Sequence, residues 1–578
     1  MTSSHERGFP LFIGVTGHRD IEPASARELV RVVNHQLRRL VEAIRFTEIR
    51  ILSGMAPGAD LIVARAAVEA GVRVEAVLPM PLASYLKDFD AAWRAELEDL
   101  LAHPLVHRVE LTPTGNLDEQ GGRNSSYLSL GAALARRSSL LLAVWDGHSA
   151  RLPGGTSDTV LHYLGCRGDA DQEAAEPVFV SEGVAARADG TVVYWVPVRR
   201  AGGVAQGAVP LACFLTGAGQ NRLLMHAELP DSIAADWRHL DRFNREHQRL
   251  LAQGRVLRHA ALLDSVLVNA RRADLALLEA IDGGYSIADS LAMQYQKGSD
   301  LLFQLFGLLT LLIGAVYLCY ERLFRSSLML VAYLGVLGVS FLLFTALRRK
   351  DWFASHLACR TLAESLRVKF YLAVAGADHL VFAQELFALS GIDAFHGFGW
   401  IRVALRSVER TDAAAAPPAA EEAAAVDEAW IGSQHAYFAR KVAALGANQQ
   451  RVRRFKKLLL WVMLGVVLAL VFYDERLEHL QFIVPVPVRD LMMLLWGGLA
   501  VVLGAWELHQ NKMATVELLW QYRNQCDHFG HARTELSLTT AADSRRRVLA
   551  RLGRNSLMES YLWAIHRFHR EYEPPTGA

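Results

Sequence analysis

Glycine-rich loops with charged residues beside them occur at three places in the first 160 residues, each directly after an apolar run. The first is Gly17-His18-Arg19-Asp20, the second runs from Ser53 to Asp60, and the third is Pro153-Gly154-Gly155-Thr156. Glycine lets the backbone approach a phosphate closely, and the N-terminus of a following helix favours an anion. A guanidinium such as that of Arg19 can bind a phosphate through two hydrogen bonds. The three loops together predict a site for an anionic small molecule.

The candidate residues of this site have structural alternatives. Arg19 is otherwise a surface arginine, and Asp60 either holds a ribose hydroxyl or caps its own helix. Asp158, which follows the third loop, is expected to be a helix cap. The predicted ligand-binding residues are Gly17, His18, Arg19, Ser53, Gly54, Pro57, Gly58, Asp60, Arg123, Tyr127, Gly154, Gly155 and Thr156.

No catalytic or metal-binding residues are predicted. The sequence contains no P-loop, HExxH or GxSxG motif. Cys526, His528 and His531 have loosely metal-like spacing, but no fourth ligand is near them in the sequence. We expect no cofactor besides the anionic small molecule.

Strands and helices alternate around these loops. Strand, glycine turn, helix and strand in this order are typical of a parallel, doubly wound α/β sheet, in which ligands bind at the carboxyl ends of the strands. The apolar runs predict strands at Phe12–Thr16, Ile49–Leu52, Val72–Leu78, Ser139–Trp145 and Val192–Val198.

Two of the loops carry a family resemblance. GVTGHRD, followed by LSGMAPGADLIVARAAVEAGVRVEAVLP, resembles the SLOG superfamily, whose Rossmann-like fold is shared by DNA-processing protein A and the Lonely Guy phosphoribohydrolases. The resemblance covers residues 9–198. Lonely Guy enzymes resemble one another in a PGGxGTxxE string whose glutamate serves hydrolysis, whereas here PGGT runs into Ser157-Asp158-Thr159. The resemblance thus implies a domain that binds a nucleotide-derived signalling ligand, and the missing glutamate favours a sensor over a nucleosidase.

Four apolar runs lie in the C-terminal half of the chain. The first two are long enough to cross a hydrocarbon core of roughly 30 Å, and aromatic residues at the ends of the last two favour the headgroup level. Buried core helices are the alternative. We predict four transmembrane helices, at Leu301–Tyr320, Ser327–Leu347, Leu458–Tyr473 and Leu491–Trp506.

Basic residues predict the orientation of these helices. Arg348, Arg349 and Lys350 follow the second run, and a cluster from Arg451 to Lys457 precedes the third. By the positive-inside rule, both termini and the N-terminal domain are cytoplasmic, although Arg322 and Arg325 in the first turn oppose this. The five cysteines are scattered, without disulfide-like spacing, which favours a reducing compartment. We expect a multi-pass protein of the bacterial inner membrane.

The membrane half is duplicated in sequence. ADSLAMQYQKGSDLLF before the first run parallels IGSQHAYFARKVAALG before the third, and YERLF with LMLVAYLG parallels YDERL with LMMLLWGG. This arrangement, with Trp430, Tyr437, Glu364 and Arg367, is similar to the SLATT family, two-span membrane effectors found beside nucleotide sensors in bacterial conflict systems. The resemblance implies membrane permeabilisation or pore formation.

The expected architecture is an α/β Rossmann-like doubly wound N-terminal domain joined to an α-helical membrane domain with four transmembrane helices in two repeated pairs. The predicted divisions are a SLOG-like domain (1–200), a helical connector (201–285), a first SLATT-like module (286–410), a disordered linker (411–429) and a second SLATT-like module with cytoplasmic C-terminal helices (430–578).

The predicted function is a nucleotide-sensing membrane effector of an anti-phage or conflict system. Its expected partners are a nucleotide-like small molecule, the lipid bilayer and further copies of the chain. The net charge of +1 gives no reason to expect nucleic acid. The alternative is a membrane-tethered nucleotide-processing enzyme resembling the phosphoribohydrolases. A transporter is less favoured because the apolar runs hold no charged residue.

Overall fold

The chain forms two compact units, each built from two stretches of sequence. The first unit comprises Met1–Ile287 and Ser365–Ala423, and the second comprises Ala288–Glu364 and Ala424–Ala578. Pro153, Arg325 and Arg349, which the sequence predictions used, lie outside the described residues. The computed structural model describes residues 8–149, 154–166, 176–181, 190–201, 210–219, 222–254, 262–266, 274–323, 326–348, 350–381, 397–412, 420–480, 486–513 and 515–568.

A nine-stranded sheet forms the centre of the first unit, with the strand order β4-β3-β2-β1-β5-β7-β8-β9-β6. The strands from β4 to β7 in this order are parallel to their neighbours, β8 is antiparallel to both β7 and β9, and β6 is parallel to β9. The strands are β1 (Leu11–Gly17), β2 (Ile49–Ser53), β3 (Arg73–Leu78), β4 (Val106–Glu110), β5 (Leu140–Trp145), β6 (Val178–Ser181), β7 (Val193–Pro197), β8 (Cys213–Gly217) and β9 (Arg222–His226).

The five strands predicted from the sequence are confirmed, with ends that differ by one residue at most. The segment predicted as a helical connector, 201–285, was wrong in its first part, because β8 and β9 lie within it. Each of these two strands has only five residues, and the segment before them is rich in glycine and alanine. Such short runs show too little alternation to distinguish a strand.

Seventeen α-helices lie in the described part of the chain. They are α1 (Pro23–Ala43), α2 (Ala59–Glu69), α3 (Leu82–Tyr85), α4 (Ala91–Ala102), α5 (Gln120–Arg137), α6 (Thr156–Tyr163), α7 (Asp231–Ala252), α8 (Leu262–Val266), α9 (Leu275–Arg322), α10 (Ser327–Arg348), α11 (Trp352–Val374), α12 (Gly399–Ser407), α13 (Ala420–Val426), α14 (Ser433–His479), α15 (Val488–Met513), α16 (Thr515–Leu538) and α17 (Ala542–Phe568). Short 3-10 turns occur at Leu86–Asp88 and Asp378–Leu380, and a π-helical turn at Asp427–Gly432.

Apolar side chains on both faces of the sheet build the core of the first unit. Parallel strands covered by helices on both faces read as continuous apolar runs, and every residue of β5 is buried. One cluster joins α5 to β1, β2 and β3 and contains Phe12, Leu52, Val77, Leu111, Leu130, Ala133 and Leu134. Another joins α6 to β5, β7, β8 and β9 and includes Leu141, Trp145, Val160, Tyr163, Trp195, Leu215 and Leu223.

A late stretch of the chain completes the first unit. The described residues 365–381 and 397–412 follow the first two apolar runs, yet they belong to the same unit as the sheet. In this stretch Lys369 is fully buried and pairs with Glu409. Arg406 donates to the carbonyl oxygen of Ser138, 2.6 Å away, at the start of β5. The predicted first module, 286–410, therefore does not coincide with a compact unit.

Within the described part of the chain, four helices are long and apolar enough to cross a membrane. In each, at most 17% of the most apolar 18-residue stretch is buried inside the protein. A core helix would bury most of such a stretch, so the alternative of buried core helices does not hold within this chain. The helical ranges with these properties are Leu275–Arg322, Ser327–Val374, Glu421–His479 and Val488–Leu508.

Glycine contacts bring two of these helices together in the second unit. A Cβ on Gly314 of α9 would lie 2.6 Å from Val501 of α15, and one on Gly497 would lie 2.7 Å from Leu318. Small residues allow such close packing of apolar helices. Gly335 and Gly338 of α10, by contrast, have open space beside them in the described chain.

The predicted disordered linker, 411–429, was wrong in its C-terminal part. Residues 413–419 lie outside the described residues, but 420–426 form α13 and the helical path continues through the π-helical turn. Alanine and glutamate have high helix propensity, and Trp430 and Ile431 anchor the turn because both are 1% exposed. A scarcity of large apolar residues therefore did not prevent a helix here.

Candidate functional site

The candidate site lies where the strand order of the sheet reverses. β1 has β2 on one side and β5 on the other, and both pairings are parallel. The connections that follow β1 and β5 must leave in opposite directions, which opens a crevice at the carboxyl ends of these strands. Gly17 and His18 stand at the end of β1, and Asp146 stands at the end of β5. The loop between β2 and α2 begins beside them.

The first two glycine loops are locked against each other. Gly58 has φ +80°, and a Cβ there would overlap the carbonyl oxygen of Arg19 and lie 2.6 Å from that of His18. The N–H of Ala59 donates to the His18 carbonyl over 3.0 Å. A Cβ on Gly17 would overlap that of Ala59. Glycine is required at 17 and 58 because two backbone segments meet there.

His18 and Asp146 form a polar pair at the reversal of strand order. His18 Nε2 lies 3.1 Å from Asp146 Oδ1 and 3.2 Å from the Asp146 backbone nitrogen, and the two side chains are 15% and 22% exposed. A neutral imidazole accepts the N–H at Nε2, whereas a protonated imidazole donates from Nε2 to the carboxylate. Burial raises the pKa of Asp146, but hydrogen bonds from His18 and the His148 N–H outweigh it and hold this pKa below its ordinary value.

Sequence reasoning included His18 but missed Asp146. The signal was present, because Asp146 is the first polar residue after the fully buried strand Leu140–Trp145. If the strand Leu140–Trp145 had been predicted to pair with β1, where the strand order reverses, its end would have placed this carboxylate beside the first loop. The parallel register, with Gly17 opposite Val144, makes that placement direct.

Asp60 lies inside the second loop rather than at its surface. Its carboxylate accepts the N–H of Ala56 over 3.3 Å, and Asp60 is only 8% exposed. Burial raises the pKa of Asp60 to about 7, although hydrogen bonds from the Ala56 and Gly54 N–H groups and the charge of Arg19 lower it. The prediction that Asp60 caps its own helix was wrong, because the N-cap of α2 is Gly58 without a side-chain capping bond and the Asp60 carboxylate instead bonds N–H groups of the preceding loop.

Ser53 ties the same loop to the start of α2. Its hydroxyl accepts the N–H of Met55 over 3.1 Å and donates to the backbone carbonyl of Asp60 over 3.3 Å. Met55 has φ +58°, an uncommon conformation for a residue with a side chain. Pro57 is half-buried in the turn that follows. The loop is thus held in one shape by its own side chains.

An aromatic cluster closes this side of the site, and sequence reasoning missed most of it. Tyr85, Phe89 and Trp93 are spaced four residues apart, and the Phe89 and Trp93 rings are 4.0 Å apart. The Tyr85 hydroxyl donates to the carbonyl of Gly54 over 2.9 Å, and Trp93 Nε1 donates to that of Met55 over 3.2 Å. The three residues do not share one helix, because Phe89 lies in extended backbone between α3 and α4. These rings hold the second loop from the side of β3.

Arg19 lies over two of the aromatic rings. Its guanidinium carbon is 5.0 Å from the centre of the Phe89 ring and 5.3 Å from that of Tyr127. Arg19 is exposed, so the rings fix a cation that still faces solvent. The Tyr127 hydroxyl donates to Asp88 over 2.7 Å. Arg19 and Tyr127, predicted independently, therefore meet.

The Arg123 guanidinium is bonded to other residues of the protein, so its role is to position segments of the chain. It lies 2.5 Å from Asp88 Oδ1, 3.0 Å from the carbonyl of Ser84 and 3.1 Å from that of Leu117. These three acceptors come from the segments on either side of α4 and before α5. Arg123 consequently joins the turn that carries Phe89 to the start of α5.

The third glycine loop is described from Gly154 onward. The Gly154 N–H donates to the Asp158 carboxylate over 2.9 Å, so Asp158 holds the loop before α6; it is not the expected cap, because the N-cap of α6 is Gly155 without a side-chain capping bond. Gly155 precedes α6 and Thr156 begins it. A Cβ on Gly154 would lie 3.3 Å from Leu128 of α5, one residue from Tyr127. The contacts therefore connect this loop to the site through α5.

The assembled groups can bind an anion and exchange a proton. Arg19 supplies a fixed positive charge, and Asp60 can be protonated or ionised near neutral pH. The His18–Asp146 pair supplies an oriented imidazole. Comparisons with family models, curated proteins and solved structures gave no match to this chain.

Proposed function

We propose that the first unit is a Rossmann-like, SLOG-like sensor for a nucleotide-derived ligand, and that the ligand controls the permeability of the membrane that the second unit spans. The observation that carries this proposal is the exposed Arg19, which follows the carboxyl end of β1 and is fixed by the Phe89 and Tyr127 rings. The same chain has four helices able to cross a bilayer.

The proposed ligand carries at least one phosphate and an aromatic base. Arg19 and the start of α2 both favour an anion. The Phe89 and Tyr127 rings lie beside the guanidinium, and arginine together with aromatic rings offers flat surfaces on which a base stacks. The ligand is proposed to contact the residues predicted from the three glycine loops, with Arg123 in a positioning role.

The proposed effector part is a pair of SLATT-like modules in an oligomer of this chain. Helix lengths support the duplication: α9, α10 and α11 have 48, 22 and 23 residues, and α14, α15 and α16 have 47, 26 and 24. In each set, a long helix that includes one span is followed by the second span and a polar helix. A bacterial anti-phage or conflict role is part of the proposal and rests on this resemblance.

We place the protein in a bacterial inner membrane with both termini in the cytoplasm. The basic residues between Arg451 and Lys457, which immediately precede the third apolar run, support this orientation. A cysteine introduced at Leu480 should react with a membrane-impermeant maleimide added outside cells, and one at Ala420 should not, relative to the parent protein. The opposite labelling pattern would reverse the orientation.

Ligand binding must act through a difference in affinity between two states. A switch from 1:99 to 99:1 requires about 5.5 kcal/mol of differential binding. If each subunit of an oligomer binds one ligand, the ligands together can supply this differential binding free energy. The residues of the first unit that follow α10, 365–412, give ligand-induced changes a covalent route to the apolar helices.

Dye release from proteoliposomes tests this function. The full chain is reconstituted, and adenine and cyclic nucleotides are added one at a time while release and calorimetric binding are measured. Arg19→Ala should weaken binding by about 1.5–3 kcal/mol, the range for a charge-assisted contact, and reduce release accordingly. Arg31→Ala is the matched control, because Arg31 is 78% exposed and pairs only locally with Glu28. Release that is equal with and without every nucleotide would contradict the proposal.

A second candidate function is nucleotide hydrolysis, and the His18–Asp146 pair is the observation that favours it. A carboxylate that orients an imidazole is the arrangement of a general base. Steady consumption of a nucleotide while the liposomes remain tight, abolished in Asp146→Asn, would favour this enzyme over the effector.

A further inference from the structure

Helix α14 carries a group of cations immediately before its apolar run. Lys456 pairs with Glu507 of α15. The other four have no ion pair within the described part of the chain, and all four are exposed. We call these four the basic arc: Arg451, Arg453, Arg454 and Lys457.

The basic arc and Lys456 lie on different sides of α14. Successive residues are separated by about 100° around a helix, so the arc covers angles of roughly 60° to 220° from Lys456. Lys456 marks the side that faces α15, because its partner Glu507 is on that helix. The arc therefore points away from the neighbouring helix. Along the axis it occupies about 9 Å, a short collar rather than a long stripe.

Exposed apolar residues continue directly from the basic arc. Phe455 lies between Arg454 and Lys457 in the sequence and is 51% exposed. Leu458 and Trp461, which follow the arc in the sequence, are 60% and 70% exposed. An outward surface that changes from cationic to apolar within one helical turn matches the change from headgroups to hydrocarbon in a bilayer. The apolar part belongs to a helix that can span a membrane.

The basic segment near the C-terminus differs from the arc. In the segment from Arg545 to Arg554, Arg545 pairs with Asp427 and Arg546 lies 3.3 Å from Asp543. Arg551 pairs with Glu535. These cations already have acidic partners in the protein, whereas those of the arc need counter-charges from outside it.

We propose that the basic arc binds the phosphate groups of anionic phospholipids at the membrane surface where α14 enters the bilayer. Two features identify lipid as the occupant: the charge is complementary to anionic headgroups, and the arc is continuous with the apolar surface of the same helix. A cation near an anionic membrane surface contributes roughly fivefold in affinity. The arc therefore selects anionic over zwitterionic lipid for the shell around α14, independently of any nucleotide.

Electron spin resonance of lipid probes tests the arc. The full chain is reconstituted in phosphatidylcholine vesicles without nucleotide, and spin-labelled phosphatidylglycerol and phosphatidylcholine are compared for the immobilised fraction at the protein. The native protein should prefer phosphatidylglycerol, and the variant Arg451→Gln/Arg453→Gln/Arg454→Gln/Lys457→Gln should reduce that preference severalfold. High salt should reduce the native preference as well.

Two control variants separate charge from folding. Lys456→Gln/Glu507→Gln removes the paired charges without changing the net charge and should keep the preference. Arg451→Lys/Arg453→Lys/Arg454→Lys keeps the charge of the arc and should also keep it. An unchanged preference in the neutral variant would overturn the proposal, as would an equal loss in the Lys456–Glu507 control. Loss of self-association with an intact lipid preference would identify a second copy as the occupant instead.

Discussion

Replacing Asp60 with asparagine should remove a pH-dependent loss of stability from the first unit. Burial is the main cause that raises the pKa of the Asp60 carboxyl, from 3.8 to about 7, because the charged form loses its hydration. A raised pKa means that the folded state holds a proton that the unfolded state has released between these two values. The free energy of unfolding therefore falls as the pH rises from about 4 to about 7 and changes little above that.

The size of the effect follows from the shift. At 1.36 kcal/mol per unit, a rise from 3.8 to about 7 corresponds to about 4 kcal/mol. Asparagine is neutral throughout, and its side-chain oxygen can still accept the N–H of Ala56. At pH 8 the Asp60→Asn variant should therefore be more stable than the native protein, by up to about 4 kcal/mol, while near pH 4 the difference should be small.

Denaturant titrations of the full chain in detergent, at several values of pH from 4 to 8.5, measure this difference. Tryptophan fluorescence is a suitable signal because Trp93 donates to the same loop through Met55. Asp158→Asn controls for the loss of a carboxylate that bonds a loop N–H, since Asp158 bonds Gly154 in the loop before α6. If the native protein and Asp60→Asn lose stability in parallel over this range, a buried Asp60 charge is not the cause.

Two further substitutions test close contacts of the first unit. Gly58→Ala should destabilise it by about 2–4 kcal/mol, because a methyl group would overlap the Arg19 carbonyl at a φ of +80°. Gly71→Ala, with φ +74° and open space, should cost only about 1–2 kcal/mol in the same denaturant titration, and equal losses would deny the close contact. Lys369→Met should cost about 3–5 kcal/mol because the buried Glu409 loses its ion-pair partner, and Lys369→Met/Glu409→Leu should recover most of it. A double variant no more stable than the single one would show that packing, not the unpaired charge, is responsible.

The sequence predicted β1, β2, β3, β5 and β7 because these strands are mostly apolar, but it missed the parallel edge strand β4, whose run Val106–Glu110 is interrupted by polar residues and largely exposed. The runs around Ile13 and Leu142 could not be confused with loops, and helices of ordinary length separate them. The same reasoning failed for β8 and β9, which are short and adjoin a glycine-rich segment. It also assigned residues 365–412 to the wrong unit, because no local sequence pattern indicates that a helix after an apolar run packs with a sheet formed earlier in the chain.

The candidate site was predictable where backbone geometry dictates the residue. Gly58 must be glycine for a reason visible in its motif. Arg19 and Tyr127 were both among the predicted residues, but their contact of 5.3 Å was not predicted. The role of Arg123 was not predictable, since its acceptors depend on how distant segments turn. Asp146 and Phe89 were missed because each was judged within its own segment, and only the strand order brings them to the first loop.

The buried contacts of residues 365–412 set the order in which the protein can be completed during synthesis. The chain leaves the ribosome from its N-terminus, so the sheet emerges well before Lys369 and Arg406 have been made. Until then, the carbonyl of Ser138 lacks its arginine donor, and the surface that this stretch covers is open. Two apolar helices, α9 and α10, must be synthesised in between. The first unit therefore stays unfinished while the first pair of helices is delivered to the membrane, and its final packing follows that delivery.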